Sequence, residues 1–101
     1  LKIKLIRFPL GEYENFNLKN ILAKAKLLGF SRIFLESGLN LTTSFLKQDL
    51  VNDFQLFISN KNLGNYGKNS FENSMKFLVN KKFTTEKVYL FGDKLISYNV
   101  K

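Results

Sequence analysis

The chain is 101 residues long, enough for one hydrophobic core and not for two. At 45% hydrophobic, with eleven Phe, it carries the apolar surface a folded domain needs. It has no cysteine and no histidine, which excludes disulfides, thiol chemistry, zinc sites of the usual ligand set and a Ser-His-Asp triad among these residues. The net charge of +8 admits an anionic partner, either nucleic acid or a phosphorylated ligand. The lysines are scattered, however (Lys2, Lys4, Lys19, Lys24, Lys26, Lys81, Lys82), and Arg7 and Arg32 are the only arginines. Solvated surface charge is the favoured account, and a nucleic-acid partner is not expected. No apolar run reaches the length of a membrane span, and no membrane partner is expected. The sequence starts at Leu1 rather than at Met and enters directly into strand-like residues, so the expectation is a piece of a longer polypeptide.

Taken in order, Lys2 to Phe8 alternates Ile3 and Leu5 with Lys2 and Lys4, the pattern of a strand with one wet face. Pro9 ends it, and Gly11 to Asn15 read as a polar loop. Asn17 is a suitable N-cap for a helix in which Leu18, Ile21, Leu22, Ala25 and Leu28 form one apolar stripe, with Gly29 placed as its stop. Ile33, Phe34 and Leu35 are too short an apolar run for a helix and suit a buried strand. Strand, helix and strand make a βαβ unit with parallel strands and a right-handed crossover. A second helix runs from Leu39 to about Gln48, Asp49 to Asn52 form a link, and Phe54, Leu56 and Ile58 form a further strand expected to be parallel and covered on both faces. Ser59 to Asn69, with Gly64, Gly67 and four asparagines, has loop chemistry of the kind that frames ligand sites. Phe71, Met75 and Leu78 fit one short helix. Lys82 to Phe91 and Lys94 to Val100 form an antiparallel hairpin through Gly92-Asp93, with Val88, Leu90, Ile96, Tyr98 and Val100 as its apolar residues.

The candidate site lies where the Ile33–Leu35 run gives way to the second helix. A strand, a glycine and a helix in succession leave free backbone N–H groups at the helix start, and the helix dipole adds positive charge there. Gly38 permits close approach of a phosphate, and Thr42, Thr43 and Ser44 add hydroxyls. A lone glycine between strand and helix is more often only a turn. Glu36 adds specificity, because open α/β sheets bind ligands at the carboxyl ends of their strands, although a solvated carboxylate would be the default.

Several short motifs, in order, resemble the reductase domain of the bifunctional riboflavin-biosynthesis deaminase/reductase family. They are Glu36-Ser37-Gly38, Ser44-Phe45-Leu46, Val51-Asn52-Asp53, Asn60-Lys61-Asn62-Leu63-Gly64 and the closing Gly92-Asp93. The resemblance extends from about Leu5 to Val100. Ser37 stands where a smaller residue is usual, and Asn60 replaces the proline of that loop. It implies a dihydrofolate-reductase-like α/β fold, with a mostly parallel sheet, flanking helices and a C-terminal antiparallel hairpin. On this reading residues 1–101 are a single partial domain, the C-terminal half of the reductase, inactive alone. The resemblance further implies NADPH as cofactor, its pyrophosphate lined by Gly38, Leu39, Asn40, Leu41, Thr42, Thr43 and Ser44. Glu36 would contact a phosphorylated pyrimidine ribosylamine substrate, whose ribosyl group is reduced to ribityl. A cytoplasmic homo-oligomer, a dimer, is the expected setting. A non-catalytic dimerisation fragment of the same fold is the alternative.

Overall fold

The computed structural model describes residues 5–8, 17–61, 64, 71–88 and 92–101. They divide into two compact units, Leu1–Glu36 and Ser37–Lys101.

In the first unit the helix α1 spans Leu18–Leu27. Asn17 caps it as expected, its side-chain oxygen accepting the N–H of Asn20 at 3.2 Å. At the other end Gly29 adopts φ +97°, its N–H donates to Lys26 O, and the Phe30 N–H reaches back to Ala25 O. Those two bonds form a Schellman stop, which needs the left-handed conformation that glycine adopts without steric cost. Leu18 is buried, and Ile21, Leu22 and Ala25 are half-buried along the predicted stripe.

The first unit departs from expectation on either side of α1. Residues 5–8 form no strand, and residues 1–4 and 9–16, which include the rest of that predicted strand and the polar loop, lie outside the described residues. Ile33, Phe34 and Leu35 are not a buried strand. They form no ladder and are 53%, 82% and 38% exposed. An apolar tripeptide has no means of burying itself; it becomes a central strand only when neighbours on both sides supply hydrogen bonds and cover. The parallel βαβ unit is accordingly not present among the described residues.

In the second unit α2 spans Leu39–Lys47, with Gly38 as N-cap. It ends in a second Schellman pair, Asp49 N–H to Leu46 O and Leu50 N–H to Phe45 O, with Asp49 itself at φ +58°. The strand β1, Asp53–Ile58, follows. A 3-10 helix occupies Glu72–Phe77, and the strands β2, Lys82–Lys87, and β3, Lys94–Asn99, form the predicted hairpin. The sheet order is β1-β3-β2, and both pairings are antiparallel. The second parallel crossover is thus corrected: the partner of β1 is β3, with Asp53 opposite Asn99 and Ile58 opposite Lys94.

Only one face of this sheet is covered. Leu46, Leu78, Tyr98 and Val100 are buried, and Val51, Phe54, Leu56, Phe71, Met75, Phe77 and Ile96 pack on them. Phe54, Tyr98 and Phe83 stand opposite one another across the three strands and form an aromatic row. Its ring centroids are 6.3 Å apart for Phe54–Tyr98 and 5.7 Å for Phe83–Tyr98, and Phe71 stacks on Phe54 at 5.4 Å. Such pairs add to area burial by about 0.5–1.5 kcal/mol each. On the opposite face Gln55 and Phe57 are exposed, so β1 is covered on one side rather than two.

Candidate functional site

The site residues predicted from sequence fall in both units. Glu36 closes the first unit, is exposed, and forms no hydrogen bond or ion pair among the described residues. Its carboxylate is therefore available to a ligand.

The remaining candidates make up the head of α2. Gly38 is exposed and extended (φ −66°, ψ 171°), a conformation open to any residue, and a Cβ built on it meets nothing within 4 Å. Neither backbone conformation nor internal packing requires glycine at this position. Thr42 N–H makes the first helical bond, to Gly38 O at 3.1 Å. The N–H groups of Gly38, Leu39, Asn40 and Leu41 are the four donors that a helix start leaves over. No side chain caps them, and no acidic residue stands in the first turn. The positive end of the helix dipole is left without a counter-charge from the first turn.

The hydroxyls are less free than the sequence suggested. Thr42 Oγ1 lies 2.8 Å from Ser37 Oγ, and Ser44 Oγ donates to Asn40 O at 3.0 Å, the back-bond typical of a helical serine. Thr43 Oγ1 lies 2.7 Å from Ser74 Oγ on the 3-10 helix. Leu39 is half-buried and Leu41 is 42% exposed, so this end of α2 is only partly covered. Backbone amides, rather than hydroxyls, are the principal donors on offer.

Ser74 was not singled out from sequence, although it is the buried polar residue of the described chain, at 3% exposure. A signal was present. Ser74 falls three residues after Phe71 and four before Leu78, on the buried side of the short helix, where an apolar residue would be expected.

Of the Ser59–Asn69 loop, residues 62–63 and 65–70 lie outside the described residues, as does Leu90 of the hairpin. Within the described part, Asn60 N–H donates to Asp93 Oδ1 and Lys61 N–H to Ser59 Oγ. No group of His, Cys, Asp or Glu suited to a metal ion occurs among the described residues, and no helix there is long and apolar enough to cross a membrane.

An uncapped helix start, a glycine that the fold does not demand and an unpaired carboxylate shortly before it together describe an anion-binding element of a larger site. Residues 2–97 match the RibD C-terminal domain, and the chain belongs to that family. A riboflavin biosynthesis protein RibD from Aquifex aeolicus (strain VF5) is 36% identical over 91 residues, covering 84% of this chain. The chain spans 24% of that relative's length. No solved structure matches the chain.

Proposed function

We propose that this chain is the C-terminal part of an NADPH-dependent reductase of riboflavin biosynthesis. On this reading it has a dihydrofolate-reductase-like fold and reduces the ribosyl group of a phosphorylated pyrimidine ribosylamine to ribityl. The observation that carries the proposal is the family match over residues 2–97, which includes both Glu36 and the head of α2.

The residues present fit a dinucleotide. The free amides from Gly38 to Leu41 suit a diphosphate, because several N–H donors and the helix dipole act on one anion without a cationic side chain. The missing side chain at Gly38 permits that anion to approach the backbone. NADPH, when bound, supplies the hydride. The protein's part is alignment: α2 holds the diphosphate, and Glu36 accepts a hydrogen bond from a sugar hydroxyl so that the carbon to be reduced faces the donor. Thr42, Thr43 and Ser44 belong to the same lining through the turn they stabilise. A cytoplasmic dimer belongs to this reading as well.

The test is NADPH titration and steady-state turnover of the full-length gene product with Gly38 and Glu36 changed separately. Gly38→Asp places a carboxylate on the amides and should abolish saturable NADPH binding. Glu36→Gln should leave NADPH binding near wild type and lower turnover. Normal NADPH affinity in Gly38→Asp would remove the diphosphate assignment.

A further inference from the structure

Ser74 Oγ and Thr43 Oγ1 share one hydrogen bond, and two hydroxyl protons have to be placed. Ser74 is buried, and Thr43 is its side chain's partner among the described residues. If Thr43 were the donor, the Ser74 proton would be left buried without an acceptor, the costly arrangement. Donation from Ser74 to Thr43 avoids this, and no buried side-chain oxygen or nitrogen is left unpaired among the described residues. The Thr43 proton is then free, and its oxygen is held by a fixed donor.

Thr43 sits one turn inside α2, on the same face as Leu39 and Asn40. Helical Cα–Cβ bonds tilt toward the N-terminus, so its hydroxyl leans toward the free amides. Thr42 and Ser44, its neighbours, engage Ser37 and Asn40 instead. We infer that Ser74 is a positioning residue: by donating to Thr43 Oγ1 it fixes the Thr43 hydroxyl as a donor to a diphosphate oxygen of the dinucleotide at the head of α2. The inference rests on the cofactor reading above and adds a residue from a separate element to it.

The experiment is calorimetric titration of NADPH into the full-length protein, wild type against Thr43→Val, Ser74→Ala, the double variant and Thr43→Ser, with ligand-free melting midpoints measured alongside. Each of Thr43→Val and Ser74→Ala should weaken NADPH binding by about five- to tenfold, the scale of one hydrogen bond to a charged group. The double variant should be no weaker than Thr43→Val alone, because Ser74 acts only through Thr43. Thr43→Ser, which keeps the hydroxyl, should bind like wild type. KM for NADPH should rise in Ser74→Ala with kcat unchanged, a split that a general loss of stability would not produce. Multiplicative losses in the double variant, or wild-type affinity in Ser74→Ala beside a weakened Thr43→Val, would overturn the role of Ser74 and leave the cofactor reading intact. No saturable NADPH binding by the wild type would overturn the cofactor reading, and this inference with it.

Discussion

The backbone N–H of Asn60 donates to Oδ1 of Asp93 at 3.0 Å, joining the residue two past β1 to the residue just before β3. It continues the β1–β3 ladder beyond Ile58 and Lys94 by a side chain in place of a strand. The same Asp93 accepts Val88 N–H through its backbone carbonyl, so one residue closes the hairpin and anchors the segment after β1. Asp93→Ala should cost about 0.5–1 kcal/mol, because the bond is solvent-exposed. Asp93→Asn, which keeps the acceptor, should cost less. Urea unfolding midpoints of the two variants are the comparison to make.

At the head of α2, stability and binding should move in opposite directions. An N-cap acceptor is worth about 0.5–1 kcal/mol over none, and a negative charge in that position also suits the helix dipole. Because a Cβ at Gly38 meets nothing, Gly38→Asp should raise the melting midpoint while removing NADPH affinity. A lowered midpoint would mean that the start of α2 is not built as described.

Asp49 is a place where the fold can be improved. It holds φ +58°, a conformation that costs an L-residue roughly 1–2 kcal/mol, and it puts a carboxylate beside the negative end of α2. Asp49→Gly should stabilise by about 0.5–1 kcal/mol net of the added chain entropy. Gly29→Ala, at φ +97° with nothing near the new methyl, should destabilise by about 1 kcal/mol for the converse reason. Thermal melts of both variants test the pair together.

Phe34 and Leu78 should behave oppositely although both are large and apolar. Leu78 is 3% exposed in the core, and Leu78→Ala should cost about 2–5 kcal/mol. Phe34 is 82% exposed, so Phe34→Lys should leave the melting midpoint of residues 1–101 unchanged and reduce self-association in light scattering.

What was legible in the sequence is what is decided locally. Asn17, the leucine stripe and Gly29 are sufficient to define α1, and Gly38 and the spacing from Leu39 to Leu46 define α2. The hairpin was legible through Gly92 between two β-rich runs, and Gly92 does take φ +84°. Strand partners were not. Phe54 and Leu56 turned inward with Gln55 and Phe57 outward look the same whether the neighbour runs parallel or antiparallel, so the choice of β3 was invisible. The burial expected of Ile33–Leu35 depends on neighbours that three residues do not encode. At the site, the loose hydroxyls of Thr42 and Ser44 proved to be tied locally, and the buried Ser74 hid in a stripe read as apolar.

The strand order β1-β3-β2 places the latest of the three strands between the two earlier ones. A nascent chain that has emerged only as far as Gly92 holds two ribbons with no edge to join, since β1 and β2 touch β3 and not each other. The sheet is therefore zipped from its middle by the last-made ribbon, and a stop codon a few positions before Lys94 would dissolve all of it, not one third.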